Sequence, residues 1–120
     1  MDRQREAPIL QAIKNHIGAN PDYRLFRMNV GKAQDPKTGR VVAFGIPGMA
    51  DLTGIRRTTC PHCGAPGPGQ RVEIETKAPD GRLRPEQIIW RDAMLRMGAA
   101  WLAPRSLEEA CELLGLPLPR

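Results

Sequence analysis

The sequence predicts an α/β fold: a central mixed β-sheet flanked by helices, in a single domain spanning residues 1–120. Three observations lead there. Apolar residues recur at helical spacing near the start of the chain. Short alternating runs, separated by Gly, Pro and Asp, fill the middle. The last third returns to helical patterns with one apolar strand between them. Helix, a run of strands, helix, strand, helix is the order of a layered α/β or α+β domain. No internal repeat or domain boundary interrupts it.

Ile9, Leu10, Ile13 and Ile17 predict an amphipathic helix over Ala7 to Ile17 that ends near Gly18. Asn20-Pro21-Asp22 is a turn signal. Arg24 to Val30 alternates, with Phe26, Met28 and Val30 on one face, and predicts a strand. Asp35-Pro36-Lys37-Thr38-Gly39 reads as a hairpin loop leading to a strand over Arg40 to Ile46. Gly45, Pro47 and Gly48 interrupt the pattern before a short strand over Ala50 to Ile55. The clearest strand is Arg71 to Lys77. Val72, Ile74 and Thr76 face one side of it; Glu73, Glu75 and Lys77 face the other. After the Pro79-Asp80-Gly81 turn, Pro85 opens a helix to Gly98, with Ile88, Ile89, Ala93, Leu95 and Met97 as its apolar contacts. Ala99 to Ala103 reads as a strand. Ser106 to Glu109 is a capping box that starts a last helix, stopped after Leu114 by Gly115 and Pro117.

Composition narrows the function. No apolar run reaches the ~20 residues of a membrane span, and the charged start, Met1 to Arg5, lacks a following apolar stretch. The expectation is a cytoplasmic protein without a membrane partner. Eighteen Lys and Arg against 13 Asp and Glu give a net charge of +5. An Arg-rich basic domain suits phosphate, and nucleic acid is the partner class that follows. Three cysteines are an odd number, which disfavours a disulfide framework.

The chemistry centres on two segments. Asp51 stands at the mouth of a strand, and Glu75-Thr76-Lys77 closes another. If the two strands pair, Asp51 and Glu75 lie side by side. Two carboxylates so placed repel unless a cation lies between them. Oxygen-only ligands favour a hard ion such as Mg²⁺, which is held by one or two carboxylates plus a substrate phosphate. Lys77 shares the face of Glu75, where it can orient or deprotonate a water or stabilise developing charge.

An acid followed by acid-x-Lys on a strand resembles the PD-(D/E)xK nuclease superfamily. The run from Gly45 to Ile55 (GIPGMADLTGI), the run from Val72 to Pro79 (VEIETKAP), Gly81 to Gln87, and Met97 to Ala110 resemble the virus-type replication-repair nuclease domain, VRR-NUC. The likeness extends from Glu6 to about Ala110, with Ala50 where the superfamily label has Pro. It implies a restriction-endonuclease-like core. Asp51 and Glu75 would bind Mg²⁺, with Mn²⁺ able to substitute and the backbone carbonyl of Thr76 as a further ligand. Lys77 would be the catalytic lysine, Gln87 a residue near the site, and Glu6 an acid contributed by the first helix. Glu73 is a bystander in this reading. The implied activity is hydrolysis of DNA phosphodiester bonds by a structure-specific endonuclease of phage or prophage type, acting on branched DNA such as Holliday junctions. A symmetric junction calls for two active sites, hence a homodimer. Arg82 and Arg84 are the first candidates for phosphate contacts, with Arg56 and Arg57 in the same set. His16 reads as an ordinary helix residue, and Trp90 and Trp101 as core packing.

A second motif lies in the loop at about 58–70, an insertion in the hairpin that joins the two catalytic strands. Cys60-Pro61-His62-Cys63-Gly64 looks like half of a zinc ribbon. Three readings are open: a zinc site completed by Cys111 or by a second subunit, a redox pair, or a tight turn alone. The alternative to an enzyme is a non-catalytic DNA- or protein-binding module built around this knuckle. The separation of the Asp51 and Glu75 carboxylates discriminates between the two.

Overall fold

The structure is a computed structural model and describes residues 2–119. Helix α1 (Asp2–Gly18) is followed by strands β1 (Tyr23–Arg27), β2 (Gly31–Gln34), β3 (Val41–Phe44), β4 (Leu52–Arg56) and β5 (Gln70–Ile74). Helix α2 (Pro85–Arg96), strand β6 (Ala100–Leu102) and helix α3 (Leu107–Leu114) complete the chain. Four strands form the main sheet in the order β1-β4-β5-β6. The first two pairings are antiparallel and the last is parallel. The fold is therefore α/β around a mixed sheet. A parallel pair needs a crossover connection, and α2 supplies it.

The run of strands does not all enter this sheet. β2 and β3 pair only with each other around the Asp35–Arg40 turn, where the Asp35 amide donates to the Arg40 carbonyl at 2.8 Å. Val41, Val42 and Phe44 are exposed on this separate hairpin. The central sheet takes β4 directly beside β1 instead.

One face of the sheet is apolar. Leu52, Val72, Ile74 and Leu102 pack there against Leu10, Ile13 and Ile17 of α1 and Ala110, Cys111 and Leu114 of α3. Each fully buried Leu or Ile contributes about 1.5–3 kcal/mol. β1 turns Tyr23 and Leu25 to this core, which leaves Phe26 exposed. The face expected from Phe26, Met28 and Val30 is thus the outer one, and the strand stops at Arg27, short of Val30. Helix α1 starts before Ala7, runs through Pro8, and so carries Glu6 on its own framework. Helix α3 follows its sequence signals. Ser106 Oγ accepts from the Glu109 amide at 3.0 Å, and Gly115 ends the helix at φ 70°.

Helix α2 departs from expectation. Ile88, Ile89, Leu95 and Met97, read as its core contacts, are exposed, with Ile89 at 71 %. Its buried residue is Gln87. The reason is what α2 covers: the second face of the sheet, which is polar.

Candidate active site

In the β4–β5 register Leu52 lies opposite Ile74 and Thr53 opposite Glu73. One step further places Asp51 opposite Glu75. Facing residues of an antiparallel pair project to the same side. Asp51, Thr53, Glu73, Glu75 and Lys77 therefore share one face, the face away from the apolar core.

Regular pairing with β4 stops at Leu52, but the chain after Ile74 stays extended. On the β6 side, the Glu75 amide donates to the Leu102 carbonyl at 2.9 Å and the Lys77 amide to the Pro104 carbonyl at 3.1 Å. On the β4 side a side chain replaces the missing strand. The Thr76 amide and hydroxyl both donate to Asp51 Oδ2, at 3.0 and 2.8 Å. Asp51 is thus fixed by the residue between Glu75 and Lys77. Its own carbonyl accepts from the Met28 amide at 2.8 Å. Thr76, singled out from the sequence for its carbonyl, acts here through its amide and hydroxyl.

Glu75 is held from above. Gln87 Nε2 donates to Glu75 Oε1 at 2.9 Å, while Gln87 Oε1 accepts from the Arg84 amide at 2.9 Å. Gln87 so caps α2 with one end of its amide and grips the carboxyl with the other, which fixes the amide's orientation. The close seating of α2 depends on Gly48. This residue takes φ +93°, and a Cβ there would lie 2.2 Å from the Glu86 carbonyl oxygen. Only glycine meets both demands.

Burial pushes the Glu75 carboxyl up to about 10. A hydrogen bond with Asp51 and its negative charge add to the rise, Lys77 opposes it, and Glu6 adds further. The two acids are therefore close neighbours, with Lys77 and Glu6 near enough to act on Glu75. Glu75 and Lys77 are buried. Glu6 Oε2 also accepts from the Ala78 amide at 3.4 Å, which brings the first helix to the end of the strand. The five residues expected to carry catalysis, Asp51, Glu75, Lys77, Gln87 and Glu6, gather in one place.

The arginines divide. Arg82 and Arg84 are exposed on the segment between the strand and α2, and Arg84 pairs with Glu86 at 3.1 Å. Arg56 and Arg57 stand at the opposite end of β4, roughly 16 Å from Asp51 along an extended strand. Arg56 is engaged there by Gln70 at 2.9 Å, and Arg57 pairs with Asp22 at 3.8 Å. The structure does not bring these two to the carboxylates.

Glu73 was expected to be a bystander, and the structure makes it a structural centre. It is 0 % exposed. Thr53 donates its hydroxyl to Glu73 Oε2, Arg71 donates Nε to the same oxygen at 3.1 Å, and Trp90 donates Nε1 to Oε1 at 2.5 Å. Trp90 lies one turn beyond Gln87 on α2. The helix is thus tied to the sheet at two successive turns by two carboxyl groups. Trp90 is half-buried and anchored by its polar edge rather than packed in the core; Trp101 is half-buried with Arg91 5.9 Å from its ring centre. The sequence signal for this was slight: one acid too many on the face shared by Glu75 and Lys77.

Among the described residues, no group of three or more His, Cys, Asp and Glu side chains is placed to hold a metal ion. The site offers two carboxylates, which matches the donor count of a magnesium site completed by water and phosphate. Cys60 and Cys63 lie at the far end of the β4–β5 hairpin. Cys111, one proposed fourth ligand, is buried in the core under α3 and cannot join them. No helix among the described residues is long and apolar enough to cross a membrane. Comparison with protein-family models, with curated proteins and with solved structures found no match.

Proposed function

We propose that this chain is a Mg²⁺-dependent nuclease of the VRR-NUC type, within the PD-(D/E)xK superfamily, that hydrolyses phosphodiester bonds in DNA. The observation that carries this reading is the placing of Asp51 opposite Glu75 on adjacent strands beside Lys77, with Thr76 fixing the first carboxyl and Gln87 the second. Two carboxyl groups held together under a helix are an unfavourable arrangement for a stable protein. It is useful for binding a cation, which takes the place of the shared proton.

Asp51, held by Thr76, and Glu75, held by Gln87, would be the protein ligands of the ion, with the Thr76 carbonyl as a third. The ion when bound supplies an activated water and charge neutralisation at the phosphate. Lys77 stabilises the negative charge that develops on the phosphoryl oxygens or takes a proton from the water. Gln87 keeps Glu75 in its rotamer, and Glu6 steadies the strand end through Ala78. Arg82 and Arg84 lie beside the site, where a DNA backbone can lie against them. Branched DNA is the substrate class that the family likeness favours, with two copies of the chain acting on a symmetric junction.

The test is cleavage of a labelled four-way junction, a matched linear duplex and a single strand, with Mg²⁺ or with EDTA. Cutting should require metal and favour the junction. Asp51→Asn and Lys77→Ala should each reduce it on the order of 10³-fold. Binding without cutting, unchanged by either substitution, would favour a non-catalytic binding module instead.

A further inference from the structure

The segment between β4 and β5 is exposed from Pro61 to Gly69 and contributes nothing to the core cluster. It is nevertheless built. Thr59 bridges to Pro66, the Cys60 amide donates to the Ala65 carbonyl at 2.8 Å, and the Gly64 amide donates to the Cys60 carbonyl at 2.9 Å. Gly64 takes the left-handed φ of 72° that closes the turn. Inside it, the backbone amides of Cys63 and His62 and the Cys63 thiol lie close enough to the Cys60 sulfur to favour its thiolate. Two sulfurs lie together, and amide dipoles are aimed at one of them. That arrangement suits a thiolate that ligates a metal, because the amides offset its negative charge.

Both thiols are free, and Cys63 is exposed. A structural zinc ion takes four ligands. The chain supplies two. Cys111 is 0 % exposed within the core. Among the described residues, no third His, Cys, Asp or Glu completes a group with them. For a closed four-ligand site the missing ligands would come from another molecule, and the same turn in a second copy offers a matching pair. A two-fold axis through the metal relates one pair of sulfurs to the other and closes a tetrahedron. We propose that the Cys60–Cys63 turn is half of a zinc site, and that two copies of this chain join at their hairpin tips through one tetrathiolate zinc ion. The turn lies at the opposite end of β4 from Asp51, and the inference does not rest on the nuclease reading.

The full chain, purified without chelator in the presence of zinc, should contain one zinc ion per two chains by elemental analysis. It should sediment as a dimer. A strong chelator should release the metal and halve the mass. Cys60→Ser and Cys63→Ser should each lose metal and dimer while keeping the far-ultraviolet circular dichroism of the parent, because the turn lies outside the core. Cys111→Ser should keep both. Cobalt in place of zinc should give the intense visible absorption of a tetrahedral tetrathiolate. Any of four results would overturn the proposal: a monomer, a Cys60–Cys63 disulfide formed in place of metal binding, one zinc per chain, or a dimer that survives chelation. Zinc kept by Cys60→Ser but lost by Asp51→Asn would also overturn it, by locating the metal at the carboxylates.

Discussion

Toward the Leu52 and Ile74 end of the β4–β5 pair both faces are covered, and they are held by different forces. Leu52, Val72 and Ile74 on one face lie in the apolar core cluster with residues of α1 and α3. Asp51, Thr53, Glu73, Glu75 and Lys77 on the other meet each other and the polar edge of α2. Apolar packing carries no titrating group and binds no ion. A buried polar layer is favourable only while every donor and acceptor is matched, and its members change partners when a proton or an ion is added. The molecule thus has one face that fixes the fold and one that responds to its surroundings.

Breaking the apolar face should have the larger effect on stability. Ile74→Ala should lower the unfolding free energy by about 4 kcal/mol, from lost transfer energy plus the cavity left behind. Urea unfolding of the metal-free chain measures it, and a loss no greater than that of Glu73→Ala would erase the distinction. Glu73→Ala tests the polar face. It strands the Trp90 indole and the Thr53 hydroxyl and should cost about 2–3 kcal/mol. Trp90→Phe removes one of these donors and should restore part of the loss when combined with Glu73→Ala, since the pair is coupled.

An effect of pH separates the faces most sharply, because it has the opposite sign. Glu75 has an ordinary value of 4.5 and is held at about 10. The folded chain therefore keeps a proton that the unfolded chain releases between those limits. Stability from this group is complete below the lower value and is lost as pH rises toward the upper one. Metal-free protein should weaken between about pH 6 and about pH 9, and Glu75→Gln should flatten that slope. At the higher pH the variant should melt above the parent. An unchanged slope would show that Glu75 ionises freely. Isothermal titration should find Mg²⁺ affinity rising with pH over the same range, as metal replaces the proton.

Much of this site was legible in the sequence. Alternation over Arg71 to Lys77 identified which residues share a face, and the Asp51 to Glu75 pairing follows from the register of two adjacent strands. The cap at Ser106 and the stop at Gly115 are local signals and appear where expected. Alternation does not reveal whether a polar face is covered. The burial of Glu73 depends on Trp90, which lies far along the chain on a helix whose most apolar residues point outward. Helical spacing favoured Ile88 and Ile89 as the buried side of α2, but the carboxylates below selected Gln87 and Trp90. The detachment of β2 and β3 was equally hidden, since a hairpin looks the same in sequence whether or not a third strand joins it. The local turn at Cys60 was legible; the exclusion of Cys111 needed the packing of α3.

The contact at Gly48 governs how accurately the two halves of the site can be held. Side chains that meet across an interface can trade rotamers and absorb an ångström of drift. Here the loop before Asp51 and the first turn of the helix that carries Gln87 touch backbone to backbone, with a hydrogen atom as the only spacer. The joint has no slack to lose. A displacement of the helix is passed to the acid-bearing loop as a rigid push, and the distance between the backbones that carry Asp51 and Gln87 is set at this contact.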